Sequence, residues 1–496
     1  MKTLFPLLSL SSVWFVSAQA EATGAQPAAP APVARPNIIY ILADDLGIGE
    51  LGCYGQTRIR TPNIDRLAAE GMKFTRHYSG AAVSAPSRCT LLTGLHTGHA
   101  FIRENREIKG GDGQLPIPAG TVTVAKLLKA AGYATAVIGK WGLGPITSEG
   151  APLKQGFAHS FGPNCQRVAH SYYPATTICD DREITLNAGC AVPGHARFPK
   201  GANPGDPASY RKFIGKDYVP DLLEKDAIAW IRAHKDGPFF LYFATPVPHM
   251  ALQVPEDSLA EYKDKFNDTP YLGDKGYLPC RYPRATYAAM ITRMDRSIGR
   301  MLDLLKELNL DDNTMVMFCS DNGPTYNGGT DSVFFGSAAG RRGLKGAFLE
   351  GGIRAPFVAR WPGKIQPGTV TGHLSAMWDF LPTACDLAGV KIPEGIDGIS
   401  LLPTLLGQSG QKAHDDLYWE NGRTQALLTD DGWKGLQSPA SRGFALYNIK
   451  DDPAEKRDLA KDNPEIVAKI RKRMAESHTD NPRFPLAGET AGNSRK

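Results

Sequence analysis

The stretch NIIYILADD, residues 37–45, contains six consecutive apolar residues followed by two aspartates. An uninterrupted apolar run of this length is typical of a strand that is buried on both faces of a parallel sheet. Comparable runs predict further strands at 135–140, 238–246, 314–320 and 356–361.

Helical periodicity fills the sequence between these strands, over residues 62–71, 122–131, 220–235, 282–308 and 375–389. Strands that alternate with helices indicate an α/β fold. We therefore predict a large mixed, mainly parallel sheet sandwiched by helices.

The texture of the sequence changes after about Gly407. Short strands with turn signals are predicted at 417–421, 425–431, 432–437 and 444–449, followed by a helix over 463–477. This pattern favours a small antiparallel α+β subdomain. We predict a catalytic domain at 36–407 and a C-terminal subdomain at 408–496.

The start of the chain predicts export. Residues 1–20 combine a charged start at Lys2, an apolar middle and the small-x-small sequence Ala18-Gln19-Ala20, which is the pattern of a signal peptide. Residues 21–35 form an Ala/Pro-rich tether. No later segment is long and apolar enough for a membrane span. A periplasmic or secreted protein is expected.

The overall charge says little about partners. There are 56 Lys and Arg residues against 51 Asp and Glu residues, so the formal net charge is +5 over 496 residues. An excess this small, without a dense basic tract, argues against nucleic-acid binding.

Polar residues follow three of the predicted strands. They are Asp44 and Asp45 after the first strand, His249 after the strand at 238–246, and Asp321 and Asn322 after the strand at 314–320. Ligands bind beyond the carboxyl ends of strands in open α/β sheets. Carboxylate and amide oxygens gathered there suit Ca²⁺, or alternatively Mg²⁺. The competing interpretation is that each sequence is an ordinary turn.

The segment SAPSRCTLLTG, residues 84–94, predicts an anion site at a helix N-terminus. Pro86 suits the first helical position, which places Ser84 just ahead of the helix. Free N–H groups there favour an anion, and Arg88 adds a permanent charge. The competing interpretation is an N-cap serine in front of an ordinary helix.

Ser84-Ala85-Pro86-Ser87-Arg88, with Leu91, Thr93 and Gly94, resembles the signature of the type I sulfatases of the alkaline phosphatase superfamily. Other blocks follow in the order of that family, namely RPNIIYILADDLG (35–47), GKWGLG (139–144), PVPH (246–249), SDNGP (320–324) and RGLKGAFLEGGIRAPF (342–357). The resemblance implies an alkaline-phosphatase-like fold and the hydrolysis of sulfate esters.

The resemblance also implies a role for each matching residue. Ser84 is the position converted to Cα-formylglycine, whose hydrated form attacks sulfur with one hydroxyl and expels sulfate with the other. The matching metal ligands are Asp44, Asp45, Ser84, Asp321 and Asn322, usually around Ca²⁺. The remaining matches are Arg88 at the formylglycine, Lys140 and Lys345 at the sulfate oxygens, and His249 as general acid.

Serine at the first signature position implies a maturation partner. A radical S-adenosylmethionine maturase of the anaerobic type acts on serine, whereas the oxygen-dependent enzyme acts on cysteine. One position departs from the family, because residue 142 is glycine where the block commonly reads GKWHLG. That departure leaves open what supports the formylglycine hydroxyl.

The sequence gives weaker indications of the substrate. The segments 166–174 and 96–107 resemble those of bacterial sulfatases that act on sulfated galactose or N-acetylgalactosamine. They nominate His170 and Arg103 for substrate binding, with Arg423 reaching the same cleft from the C-terminal subdomain. Two alternatives stay open: a phosphate or phosphonate ester hydrolase of the same superfamily, and a non-catalytic glycan-binding descendant.

Overall fold

The computed structural model describes residues 1–2, 35–108, 113–439 and 443–486. The predicted signal peptide (1–20), apart from its first two residues, and the predicted tether (21–35), apart from Arg35, lie outside the described residues. The described residues from Arg35 onward form one compact unit.

Sixteen strands have the following bounds among the described residues: β1 Asn37–Asp44, β2 Met72–Phe74, β3 His77–Tyr78, β4 Ala134–Gly139, β5 His159–Gly162, β6 Thr176–Cys179, β7 Arg182–Thr185, β8 Phe239–Pro248, β9 Thr314–Ser320, β10 Phe357–Arg360, β11 Thr369–Thr371, β12 Ser375–Ala376, β13 Asp416–Glu420, β14 Gln425–Thr429, β15 Trp433–Gln437 and β16 Ala445–Asn448.

Eleven α-helices have the following bounds in the same part of the chain: α1 Pro62–Ala69, α2 Ser84–Thr93, α3 Val124–Ala130, α4 Val219–Ala233, α5 Glu256–Leu259, α6 Pro283–Glu307, α7 Ser332–Phe335, α8 Glu350–Ile353, α9 Phe380–Ala388, α10 Leu402–Leu405 and α11 Pro464–Glu476. No helix in the described ranges has the length and apolar character needed to span a membrane.

Ten strands form one sheet in the order β11-β2-β10-β9-β1-β8-β4-β5-β6-β7. The five central strands, from β9 to β5, run parallel to one another. Antiparallel pairs join β10 to β9 on one side and β6 to β5 on the other. The prediction of a mixed, mainly parallel sheet is confirmed.

Strand β1 shows why the sheet is covered on both faces. All eight of its residues are buried, and alternate side chains point to opposite faces of a strand. Ile39 and Ile41 belong to one core cluster with residues of α4 and α6, whereas Ile38 and Leu42 belong to a second cluster with residues of α2, α3 and α9. An unbroken apolar run therefore serves two helical layers at once.

One predicted helix is shorter than expected. The sequence predicts a helix over 375–389, but residues 375–376 form β12, which pairs with β3, and α9 begins only at Phe380. The Asp379 carboxylate accepts the Ala376 N–H at 2.8 Å and the Ile399 N–H at 2.8 Å, so it holds the turn that separates strand from helix.

The C-terminal strands form a separate antiparallel sheet in the order β13-β14-β15-β16. One face packs against α11 through Ile470 and Met474. The other face contributes Trp419 to a cluster with Tyr78 and Trp378 of the larger part of the fold. The predicted small α+β unit is present and packs directly against the segment that precedes α2.

Candidate active site

The carboxyl ends of β1, β8 and β9 bring together the polar residues that follow these strands. Because the three strands are adjacent and parallel, Asp44, Asp45, His249, Asp321 and Asn322 reach the same edge of the sheet. Ligand atoms of Asp44, Asp45 and His249 all lie within 4.8 Å of one another. All five residues are buried, so the prediction of a strand-end cluster holds in space.

Ser84 lies at the first residue of α2 and not ahead of it, so the predicted helix start at Pro86 is two residues late. Val83 occupies the N-cap position and makes no side-chain cap, which contradicts the reading of Ser84 as an N-cap. The Ser84 hydroxyl instead donates to Asp44 Oδ1 at 3.0 Å. The serine is therefore tied to the strand-end carboxylates.

Arg88 projects from the next turn of α2 into the same cluster. Its guanidinium donates to Asp321 Oδ2 at 2.9 Å and to Asp44 Oδ2 at 3.3 Å, and to the Lys140 carbonyl at 2.6 Å. The side chain has no solvent exposure. A planar donor with several N–H groups can hold two carboxylates in a fixed relation, which is the role this geometry gives Arg88.

Two lysines complete the charge balance. Lys140 Nζ contacts Asp44 Oδ2, and Lys345 Nζ lies 2.8 Å from Asp45 Oδ2. Lys140 is fully buried, whereas the Lys345 side chain is 16% exposed. Three aspartates thus face three cationic side chains within one buried cluster.

Burial and charge act in opposition on these groups. Burial alone would raise the pKa of Asp44, but Lys140 and Arg88 outweigh it and hold that pKa below its usual range. Burial lowers the pKa of Lys140. Burial also opposes the charge of Lys345, but Asp45 and Asp44 outweigh it and raise the pKa of Lys345. These cations and carboxylates depend on each other for their charge.

The donor set of the cluster fits a hard divalent cation. Asn322 Nδ2 donates to Asp45 Oδ1 at 2.8 Å and to the Gly323 carbonyl at 2.9 Å, but Asn322 Oδ1 is buried with no hydrogen-bond partner among the described residues. A buried amide oxygen without a donor is unfavourable unless something else binds it. A cation such as Ca²⁺ or Mg²⁺, held also by the carboxylates of Asp44, Asp45 and Asp321, would bind this oxygen.

The loop after β8 fixes the position of His249. Its Nδ1 lies 2.7 Å from the Met250 carbonyl, and its Nε2 lies 3.7 Å from Asp45 Oδ2. The Tyr172 hydroxyl donates to the His249 and Pro246 carbonyls, both at 2.7 Å, and so fixes the loop. Because Nδ1 faces a carbonyl, the atom left to act in the pocket is Nε2.

His170 stacks on His249, with ring centroids 5.2 Å apart and an interplanar angle of 12°. Its Nδ1 lies 3.0 Å from His195 Nε2. Burial lowers the pKa of His170 to about 2, so the ring is neutral near pH 7. Tyr172 and Tyr173, which follow His170 in the segment 166–174, are buried in the core and do not line the pocket.

Of these groups, Ser84, His170, His249 and Lys345 line a pocket of about 440 Å³. Its walls come from α2, from residues 105, 107 and 114, from the loop around residues 166–170, and from loops after β8 and β9. The lining residues are Val83, Ser84, Asn105, Glu107, Gln114, Gln166, His170, His249, Tyr277, Tyr326, Asn327, Lys345 and Gly346.

Two predicted substrate-binding residues do not line this pocket. Arg103 is 2% exposed and is buried in an ion pair with Glu420, with further hydrogen bonds to Thr479 at 2.8 and 3.1 Å. Arg423 is exposed in the turn between β13 and β14. The Arg103 guanidinium is engaged by Glu420 and Thr479 of the C-terminal part of the chain and by the Ala100 carbonyl, and it does not line this pocket.

Several lining residues were not predicted, among them Gln114, Gln166 and Tyr277. They lie in loops between the sheet strands, where no periodic pattern points to a site. The one usable signal was Gly142, because a Cβ at that position would lie 2.4 Å from Gln166 Nε2. Because residue 142 is glycine, the Gln166 amide can occupy the space beside it.

Fold and site together define an α/β ester hydrolase in which a buried serine, three carboxylates and three cations converge at the ends of parallel strands. A family model described as Sulfatase matches residues 36–390, and one described as N-sulphoglucosamine sulphohydrolase, C-terminal, matches residues 345–480. The chain belongs to the sulfatase family, and the enzyme is a sulfuric ester hydrolase.

Similar proteins extend over most of the chain. N-acetylgalactosamine-6-O-sulfatase of Bacteroides thetaiotaomicron is 32% identical, with 88% of this chain and 92% of that protein covered. Human N-acetylgalactosamine-6-sulfatase is 34% identical, with 81% of this chain and 70% of that protein covered. The crystal structure of Ps i-CgsB has a TM-score of 0.73 at 26% identity, covering 90% of this chain and 93% of that one.

Proposed function

We propose that the protein removes sulfate from a sulfated carbohydrate, such as a galactose or N-acetylgalactosamine sulfate, with a Cα-formylglycine derived from Ser84. The observation that carries this proposal is the position of Ser84. Its hydroxyl is bonded to Asp44 inside the buried charge cluster, and the residue also lines the pocket. The bacterial and human relatives named for N-acetylgalactosamine 6-sulfate support the sugar class.

The proposed metal is Ca²⁺, with Mg²⁺ as the alternative. Asp44, Asp45, Asp321 and Asn322 would hold it together with the modified residue 84, and the orphaned Asn322 Oδ1 supports this assignment. When bound, the cation polarises a sulfate oxygen and favours the ionised form of the attacking hydroxyl.

The cationic side chains divide the remaining work. Lys345 reaches the pocket directly and can bind a sulfate oxygen, whereas Lys140 and Arg88 lie beneath it and fix the orientation of Asp44 and Asp321. Nε2 of His249 faces the pocket floor and is the atom proposed to give a proton to the leaving oxygen of the sugar. Because the Nδ1 hydrogen faces the Met250 carbonyl, Nε2 can give a proton only after the ring has taken up a second proton from solvent, and burial, which lowers the pKa of His249, opposes that uptake. Attack and departure then occur on opposite sides of one sulfur atom.

Maturation and export complete the proposal. Ser84 would be oxidised before export by a radical S-adenosylmethionine maturase of the anaerobic type. The signal peptide predicted at residues 1–20 would then direct the protein to the periplasm or the medium.

Mass spectrometry tests the modification. The peptide spanning Ser84, from protein made together with the maturase, should have lost two hydrogens. Ser84→Ala should be folded and inactive, and Ser84→Cys should regain activity when produced with the oxygen-dependent formylglycine enzyme. A fully active preparation with an unmodified Ser84 peptide would refute the formylglycine mechanism.

A substrate panel tests the reaction. Sulfate release from 6-sulfated N-acetylgalactosamine and galactose should exceed phosphate release from the matching phosphate esters. Turnover confined to phosphate esters would favour the phosphoryl hydrolase alternative. Binding without turnover by fully modified protein would favour the non-catalytic glycan-binding alternative.

Metal dependence is read from stability as well as activity. Calcium added to chelator-treated Ser84→Ala protein should raise its unfolding temperature, because a ligand at about 100 times its Kd stabilises by about 2.7 kcal/mol. Asn322→Leu should lose most of that shift, and magnesium in place of calcium separates the two candidate ions. An identical shift in Asn322→Leu would exclude Asn322 as a ligand.

A further inference from the structure

Two buried glutamines line the pocket with amide atoms that have nothing to bind. Gln114 is 2% exposed and Gln166 is 5% exposed. Gln114 Oε1 and both polar atoms of Gln166 have no hydrogen-bond partner among the described residues. Native proteins rarely leave buried amides in this state, because the lost hydration is not replaced. Three unsatisfied atoms on two residues that line one pocket indicate a ligand that supplies the missing partners.

The fold holds Gln166 in this position through the segment that carries Lys140. Backbone hydrogen bonds join Trp141 to the Pro163 carbonyl and Gly142 to the Asn164 carbonyl, both at 3.1 Å. Gly142 has φ +83° and no side chain, and a Cβ there would lie 2.4 Å from Gln166 Nε2. The amide of Gln166 therefore occupies space that only a glycine at residue 142 leaves open.

Gln114 reaches the pocket from a different segment. It pairs with Glu107 in an antiparallel bridge, and the Leu115 N–H donates to the Arg106 carbonyl at 2.7 Å. Two separate backbone segments thus place amides in the same pocket, so the conformation of a single loop does not account for both.

The charge around the amides restricts what they can bind. Among the described residues that line the pocket, the only lysine or arginine is Lys345, and its Nζ is already bonded to Asp45. Glu107 at the rim is ion-paired with Arg167, whose Nη1 lies 3.8 Å from Glu107 Oε2. Arg103, which a carboxylate could have used, is engaged with Glu420. A second anionic group on the substrate would meet acceptor oxygens and an arginine that is already paired with Glu107, in place of a free cation.

We propose that Gln114 and Gln166 bind hydroxyl or acetamido groups of the sugar and select a sulfated neutral hexose or N-acetylhexosamine over a sulfated uronic acid. Hydroxyl groups both donate and accept, so they satisfy the amide oxygens and the Gln166 NH₂ together. A carboxylate only accepts and leaves both amide oxygens unpaired. The inference rests on the proposed function and names the residues that read the sugar.

Methionine replaces each glutamine with an apolar side chain of nearly the same length. Gln114→Met and Gln166→Met should each raise KM for the best neutral sugar sulfate by roughly tenfold, while kcat changes little. Their unfolding temperatures should stay equal to wild type or rise, because an unsatisfied buried amide is removed. A merely structural glutamine would show the reverse pattern.

Gln155 supplies that matched control. It is buried but lies outside the pocket, and its Nε2 donates to the Glu149 carbonyl at 2.7 Å and the Pro118 carbonyl at 3.2 Å. Gln155→Met should therefore lower the unfolding temperature and leave KM unchanged.

The assays separate failure of this inference from failure of the proposed function. An active wild type whose two pocket variants keep their KM within twofold, or lose stability as the Gln155 variant does, overturns the inference alone. Equal kcat/KM of the wild type on sulfated uronic acids also overturns it. A fully modified wild type that releases sulfate from no sugar overturns the proposed function, and this inference with it.

Discussion

Arg103→Met should destabilise the protein without impairing its chemistry. The Arg103 guanidinium contacts Glu420 Oε1 and donates to the Thr479 carbonyl and hydroxyl, and both charged side chains are almost completely buried. Removal of the cation leaves a carboxylate in a region without bulk water. Breaking a buried pair from one side costs about 3–5 kcal/mol.

The surroundings of Glu420 favour the lower end of that range. Its Oε2 still accepts from the Tyr418 hydroxyl at 2.6 Å and lies 2.7 Å from His478 Nδ1, so the carboxylate keeps two partners. We expect a loss of about 3 kcal/mol. With about 2.1 cal/mol/K per residue over roughly 450 folded residues, this corresponds to a fall in unfolding temperature of about 3 °C.

Calorimetry on Arg103→Met, Glu420→Gln and the double variant measures this effect. The double variant should recover most of the loss, because no charge is then left buried alone. Steady-state kinetics on the same preparations should give kcat/KM within about twofold of wild type for all three. A tenfold fall in kcat/KM with an unchanged unfolding temperature would refute the structural role and return Arg103 to the substrate.

Three further predictions concern Gly142, Lys434 and His170. Gly142→Ala should lower kcat/KM by about tenfold or more, because the alanine Cβ would collide with Gln166. In steady-state kinetics, adding Gln166→Ala to the same chain should restore part of this loss. No recovery would mean that the φ of +83° alone is responsible. Lys434→Met should lower the free energy of unfolding, measured with denaturant, by about 3–5 kcal/mol. It leaves the buried carboxylates of Glu350 and Glu455, each 3.0 Å from Lys434 Nζ, without their shared cation. An unchanged denaturation midpoint would contradict this. His170→Asn should keep the acid limb of the wild-type pH–rate profile, because burial lowers the pKa of His170 to about 2. The stability that the neutral ring contributes is present above pH ~6.5 and is lost as the pH falls toward 2. Between pH ~6.5 and ~4 the unfolding temperature of the wild type should therefore fall more than that of the variant.

The strand-end residues could be predicted because the topology leaves them little freedom. The run before Asp44 is buried on both faces, and so is the run before Asp321, which makes both strands central and parallel. Adjacent parallel strands end at one edge of the sheet, so their terminal aspartates must meet. The position of Ser84 was predicted less accurately. Proline is tolerated throughout the first turn of a helix, so Pro86 does not determine which residue begins α2.

The substrate side could not be predicted in the same way. Gln114, Gln166 and Tyr277 lie on three loops whose contacts depend on how long segments fold back over the sheet. Arg103 was nominated for its chemistry, but chemistry alone does not distinguish a guanidinium that faces a cleft from one that joins two parts of a fold. Only the partner, Glu420, which lies 317 residues further along the chain, decides between them.

The charge of the site explains why the net charge of the chain carried so little information. Asp44, Asp45 and Asp321 are balanced by Arg88, Lys140 and Lys345, so the cluster contributes nothing to the formal total of +5. A divalent cation bound to this balanced cluster would leave it with an excess of two positive charges, buried where solvent screens them weakly. A sulfate ester carries one negative charge, and a second anionic group on the sugar would lie outside the cluster, beside Glu107 and the pocket amides. The attraction is therefore confined to the sulfate, and the neutral rim is left to distinguish one sugar from another.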